Sequence, residues 1–253
     1  TLGINTDAGD IVDERLNITL QPQVSVVLMD QYTGHVKAIV GGRGAKTTSL
    51  SLNRATASPK QPGSCFKVLS TYAPGLNECG MTLATTIKDE PYRYASGQPV
   101  NNWDNKYIGS ARVRYAIEHS MNVCAVRTLT ETVGLEKGYK YLENFGFTTL
   151  VNNDPNYPGM SDIAQATALG GITRGVYNIE MTAAYAAIAN SGIYTEPLLY
   201  TEILDHDGNV LIDNSKPITR RVLKESTAFL LTSAMQDVIN RGTGTPARLN
   251  NMP

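Results

Sequence analysis

The sequence predicts an α+β fold. A β-branched hairpin stands near the start of the chain and a second hairpin near its end. The stretch between them has mostly helical periodicity, and a long amphipathic segment follows the second hairpin. Strands and helices are thus grouped, not alternated as in a βαβ chain. With 253 residues, 42% hydrophobic and 18% charged, the chain has material for one large domain or two small ones around a real core.

Residues 1–22 are polar and irregular and read as a linker or edge segment; residues 23–253 read as the functional domain. VSVVLMD (24–30) and HVKAIV (35–40) are apolar, β-branched runs joined by QYTG, and predict a hairpin with Gly34 at positive φ. GGRGAKTTS (41–49) predicts a flexible loop. Pro62 and Gly63 close the loop that follows. A helix is expected from about Ser64, with Phe66, Leu69 and Tyr72 at helical spacing and Pro74-Gly75 as its stop. Residues 77–109 are turn-rich, carry the only tryptophan, Trp103, and exceed ordinary connection lengths. Helices are predicted at 111–119, 123–132, 137–145, 162–169 and 179–190. LLYTEILDHDGNVLID (198–213) predicts the second hairpin, turning at Asp207-Gly208. Residues 224–240 form a strongly amphipathic pattern that RGTGTP halts.

Composition removes several function classes. A net charge of −1 leaves no electrostatic footprint for nucleic acid. No window approaches the ~18 continuous apolar residues of a membrane span, and TLGINTDAGD does not read as a signal peptide. Cys65, Cys79 and Cys124 lack metal or redox spacing and are expected to be buried free thiols. With only His35, His119 and His206 and no HExxH, neither a metal nor another cofactor is expected.

Two short motifs bear on chemistry. In QPGSCFKVLS (61–70), Ser64 begins a helix and Lys67 follows at i+3, on the same face. A serine hydroxyl needs a proton acceptor to become a nucleophile. A lysine serves once desolvation lowers its pKa, and the free N–H groups of a first helical turn favour developing negative charge. The same residues are equally ordinary helix residues, because S-x-x-K is common. In HSMNV (119–123), Ser120 and Asn122 stand at a helix break. They either present a hydroxyl and an amide to one cavity, or Asn122 caps the helix that follows.

These motifs sit in longer blocks that resemble the transpeptidase domain of class A penicillin-binding proteins. VVLMDQYTGHVKAIVGGRG resembles the family's opening hairpin, LNRATASPKQPGSCFKVLSTYAPGL its nucleophile segment, and NNWDNKYIGSARVRYAIEHSMNVCAVRTL its second-motif segment. ALGGITRGVYNIEMTAAYAAIANSGIYTEP and RVLKESTAFLLTSAMQDVINRGTGTPA are similar to its later helices. The blocks keep family order from about Gln23 to Pro253, and the motif set is the family's known signature.

The resemblance implies a serine β-lactamase/DD-peptidase-like fold, an antiparallel sheet flanked by helices with an all-helical subdomain. It implies that Ser64 is acylated, Lys67 activates it and Ser120 moves protons. It further implies that Asn122 binds substrate, and that Trp103 and Tyr107 either border the substrate cleft or merely pack. The implied reaction is DD-transpeptidation of peptidoglycan stem peptides, with β-lactams acylating the same serine. Alternatives on the same fold are a serine β-lactamase or DD-carboxypeptidase, for which Glu131, Glu143 and Glu180 are the available water-activating groups, or a non-catalytic wall-binding fragment. The implied location is the outer face of the cell membrane, on an anchored parent with an upstream glycosyltransferase domain.

The family's third motif, Lys-Thr/Ser-Gly, does not occur. Lys46-Thr47-Thr48 lacks the glycine and Arg241-Gly242-Thr243-Gly244 has the wrong order. The domain therefore reads as incomplete at its C-terminus, without its last strands. Residues 24–40 are expected to present an unpaired apolar edge that a second polypeptide segment carrying the Lys-Thr-Gly strand would cover.

Overall fold

The computed structural model describes residues 2–4, 11–14, 22–46 and 48–249, the first two segments by backbone alone. Within the segment expected to be a linker, β1 (Leu2–Ile4) pairs antiparallel with β2 (Ile11–Glu14); its other residues up to 21 lie outside the described ones. The first predicted hairpin is β3 (Val26–Met29) and β4 (Val36–Val40), turning at Gly34 with φ +77°. A short helix, α1 (Arg54–Ala57), follows, capped by the Asn53 side chain.

The central helix changes pitch twice. A 3-10 turn (Gly63–Cys65) leads into a π-helical segment (Lys67–Tyr72) and then α2 (Ala73–Glu78). The expected stop at Pro74-Gly75 does not occur. Ala73 N–H bonds to Val68 O, one residue beyond the α register, so Pro74 falls in the first turn of a new α segment, where a missing N–H costs little. Every residue from Lys67 to Tyr72 is buried, and Phe66, Leu69 and Tyr72 centre the core with Leu129, Leu142 and Phe145.

The turn-rich stretch contains four short strands: β5 (Thr86–Asp89), β6 (Tyr92–Arg93), β7 (Pro99–Val100) and β8 (Gly109–Arg112). β5 pairs with β8 and β6 with β7. The helix expected from 111 consequently starts two residues later, as α3 (Val113–Glu118). The 123–132 prediction becomes α4 (Asn122–Thr128) plus a π turn (Leu129–Val133), and α5 spans Leu135–Asn144. The helix expected at 162–169 is a 3-10 run, Gln165–Leu169. Asp162 is instead held by its buried carboxylate, which accepts from Val151 N–H and Thr173 N–H at 2.7 Å each. The alanine-rich α6 (Asn178–Ala189) packs against β3.

β9 (Ile193–Thr195) was not legible in the sequence. It pairs with β12 (Thr219–Arg221), while β10 (Glu202–Leu204) and β11 (Val210–Asp213) form the second predicted hairpin. α7 (Glu225–Asn240) packs on α3 and α6. The α+β class stands, with its strands in antiparallel pairs. Among the described residues β3 pairs only with β4, and Val26, Leu28 and Val40 on the face turned from α6 are about half exposed. The thiols do not share one environment: Cys124 is buried, Cys79 is half-buried and Cys65 is exposed, because its turn lies at the surface beside Ser64.

Candidate active site

Gly63 takes φ +57° one residue before Ser64 and turns the chain into the central helix. The backbone of Gly170, itself at φ +75°, lies against it so closely that a Cβ on Gly170 would fall on Gly63. Gln61 ties the same junction to the backbone N–H and carbonyl of Ile172. Ser64 is thereby fixed at an exposed first turn, where backbone N–H groups have no helical acceptor. Among the described residues its hydroxyl makes no hydrogen bond.

Lys67 lies one turn on and is 3% exposed. Nζ donates to the backbone carbonyl of Ser120 at 2.6 Å, to Ser120 Oγ at 3.0 Å and to Asn122 Oδ1 at 2.6 Å. Burial pulls its pKa down to about 8, against an opposing effect of the Cys124 side chain behind it. At pH 7 a lysine with that pKa is neutral about one-tenth of the time, far more often than one in water. Cys124 shows the same desolvation from the other side, its thiol pushed up to about 12.

The Ser120 turn has a costly backbone, with φ +52° at a serine. The cap at the start of α4 comes not from Asn122 but from a residue the sequence did not single out. Asn102 Oδ1 accepts the N–H groups of Asn122 and Val123, at 2.9 and 3.2 Å, and so caps α4. Asn102 Nδ2 in turn donates to the buried carboxylate of Asp89 at 2.8 Å. The Asn122 amide is left to bond Lys67 and the Asn101 carbonyl. No motif spacing marks Asn102; its only signal was a polar pair inside a long, turn-rich loop.

A cleft of about 700 Å3 is lined by Ser64, Trp103, Ser120 and Asn122, with His119 and the stretch after α7. It has the size of a small-molecule site. Trp103 is largely exposed along it. Tyr107 is not part of the lining; its hydroxyl reaches Asn101 Oδ1 at 3.3 Å, one step from Asn122. The three glutamates weighed for hydrolysis also lie away from it. Glu180 is spent on Thr148 and on the N–H of Tyr177, Glu143 pairs with Lys140, and Glu131 faces Arg127.

The chain matches the Penicillin binding protein transpeptidase domain family over residues 24–252. The chain belongs to that family. This transpeptidase domain is 37% identical to penicillin-binding protein 1A of Clostridium acetobutylicum over 94% of its own length and 29% of the relative's. It is 36% identical to penicillin-binding protein 1F of Bacillus subtilis, over 87% of the chain and 29% of the relative. The domain thus spans less than a third of these curated relatives. The crystal structure of penicillin-binding protein 1A from Haemophilus influenzae superposes with a TM-score of 0.73 at 26% identity, covering 88% of this chain and 37% of that one. The PonA1 protein of Mycobacterium tuberculosis, in complex with penicillin V, shares the fold with a TM-score of 0.72 at 24% identity, over 85% of this chain and 56% of that one.

Proposed function

We propose that this domain is the acyl-transfer unit of a peptidoglycan DD-transpeptidase. The observation that carries the reading is the buried Lys67 ammonium, shared between Ser120 and Asn122 behind a cleft into which Ser64 opens. Neutral Lys67 accepts the Ser64 proton as the hydroxyl attacks the penultimate D-Ala carbonyl of a D-Ala-D-Ala stem peptide. The Ser64 N–H, at the helix start, stabilises the oxyanion. Ser120 passes the proton to the departing D-Ala, which leaves an acyl-enzyme on Ser64. An amine of a neighbouring stem peptide then attacks that ester, gives up its proton through the same pair and restores the serine. Asn122 and Trp103 hold the peptide, with Tyr107 acting through Asn101.

A β-lactam acylates the same serine by ring opening. The family relation supports this, as does the penicillin V complex of a protein with the same fold. Hydrolytic alternatives have no support from the glutamates, none of which reaches the cleft.

Among the described residues β3 pairs with β4 alone, and that open strand edge supports completion of the sheet by a further segment carrying the Lys-Thr-Gly strand, as a second polypeptide or as other parts of the parent. A relation to penicillin-binding proteins 1A supports a place on the outer face of the cell membrane. Among the described residues no helix is long and apolar enough to cross a membrane, so the anchor would be outside them. Incubating the full-length protein with a fluorescent penicillin, followed by peptide mass mapping, tests the reading. A stable adduct on Ser64 is expected; an unlabelled protein, or rapid turnover of the drug, would overturn it.

A further inference from the structure

We infer that Glu118 is a positioning residue for acylation, holding the Ser120 turn against the cleft wall through Arg241. The inference rests on the reading of Ser64 and Lys67 above. Glu118 is the last residue of α3, two before Ser120, and is 6% exposed. A carboxylate persists at such burial only with partners. Its Oε2 accepts from Arg241 Nε at 2.9 Å, its Oε1 lies 3.2 Å from His119 Nε2, and its backbone carbonyl accepts Thr243 N–H at 3.2 Å. Between those two anchors Gly242 approaches so closely that a Cβ there would fall on the Glu118 carbonyl oxygen. Arg241 also donates to Asp237 at 2.8 Å, and Asp237 takes Arg114 from α3 at 2.5 Å. The ends of α3 and α7 are therefore locked by paired charges and by backbone contact.

That lock bears on the chemistry because of what it adjoins. Arg241, Gly242 and Thr243 line the cleft together with His119 and Ser120. Ser120 occupies a left-handed conformation that serine does not favour, so its turn persists only if the surroundings over-determine it. On the α3 side it is held by Ser120 N–H to Ile117 O and by Met121 N–H to Ala116 O. Glu118 supplies the hold on the α7 side. A turn that drifts moves both oxygens that face Lys67 Nζ, and misplacements near 1 Å cost rates about 10²-fold in comparable sites.

The test uses the full-length protein and fluorescent penicillin, separating the noncovalent dissociation constant from the first-order acylation constant. Glu118→Ala is expected to lower the acylation constant about tenfold while noncovalent binding changes by no more than about twofold, and Arg241→Ala, which also alters the cleft wall, is expected to lower the acylation constant by a similar factor. The combined variant should be no slower than either alone, since both remove one link. Glu118→Gln keeps an acceptor oxygen for Arg241 and should recover most of the rate. A purely structural role would lower the melting temperature and leave the acylation constant of the folded enzyme intact, which would overturn the inference; so would losses that multiply in the combined variant. Should Glu118→Ala fail to fold, Arg241→Ala, altered at a half-exposed side chain, reads the same link, and a wild-type constant there is equally fatal. If the wild-type protein itself fails to label on Ser64, the functional reading falls first and takes this inference with it.

Discussion

Asn102 caps the helix that Asn122 begins. One side-chain oxygen accepts the first two N–H groups of α4, and the Asn122 amide, relieved of that task, bonds the buried ammonium of Lys67. The cap is anchored by Asp89, which is wholly buried and also accepts Ile108 N–H at 2.8 Å. Loop, helix start and lysine thus form one connected polar layer under the cleft.

Replacing Asn102 with Ala removes the cap and strips Asp89 of a donor. Stability should fall by about 2 kcal/mol or more, read as a lower urea midpoint at unchanged slope. Penicillin labelling should slow in parallel, because Asn122 loses its backbone support. An unaltered midpoint would show that the cap carries no weight.

Lys67 sets a pH dependence. Its pKa is lowered to about 8 by burial, so the neutral, proton-accepting form grows as pH rises through 8 and levels off above it. Acylation at saturating drug should rise roughly tenfold per unit below that point, in stopped-flow traces from pH 6 to 9. Stability follows the same group. A lysine whose folded pKa is depressed carries its full penalty below about 8, where folded and unfolded chains are both protonated, and the penalty fades as pH climbs from about 8 towards 10.5, where only the unfolded chain keeps the proton. Lys67→Arg, which does not deprotonate, should abolish labelling at every pH in the series.

Ser64→Ala should abolish labelling and change stability by no more than about 0.5 kcal/mol. The hydroxyl is exposed and makes no hydrogen bond among the described residues. Thermal melts alongside gel fluorescence check both halves; persistent labelling would place the nucleophile elsewhere.

Gly170→Ala should be costly out of proportion to its size. It puts a Cβ on a residue at φ +75° and onto the backbone of Gly63, at the entrance to the Ser64 turn. A loss of about 1–3 kcal/mol is expected from the strain, with slower acylation as Ser64 shifts. Equal labelling rates for the two proteins would show that the contact does not position the serine.

The thiols should separate under alkylation. Cys65 is exposed and should react with iodoacetamide in the folded protein, while Cys124 is buried with its thiolate disfavoured and should react only on unfolding. Mass mapping after a timed quench distinguishes them; early modification of Cys124 would show an open core.

The turns that place Ser64, Lys67, Ser120 and Asn122 were legible because each motif is local: Pro-Gly opens one helix, a break opens another, and a three-residue spacing aligns two side chains. The first hairpin and α7 were readable for the same reason, since β-branched alternation and amphipathic period need no knowledge of neighbours. The family order of the blocks was equally a property of the chain alone.

What the sequence left open depends on residues far apart along it. Asn102 meets α4 from 20 positions away, and Glu118 meets Arg241 from 123. β9 and β12 are three residues each and exist only because they pair with one another. Pro74 read as a helix stop because its propensity is local, whereas the buried central helix changes register around it. Local preferences of a chain decide which segments fold and which side chains share a face. Which distant carboxylate, amide or glycine comes to rest beside Ser64, Lys67 and Ser120 is decided only when the core closes, because those contacts gain their strength from the exclusion of water.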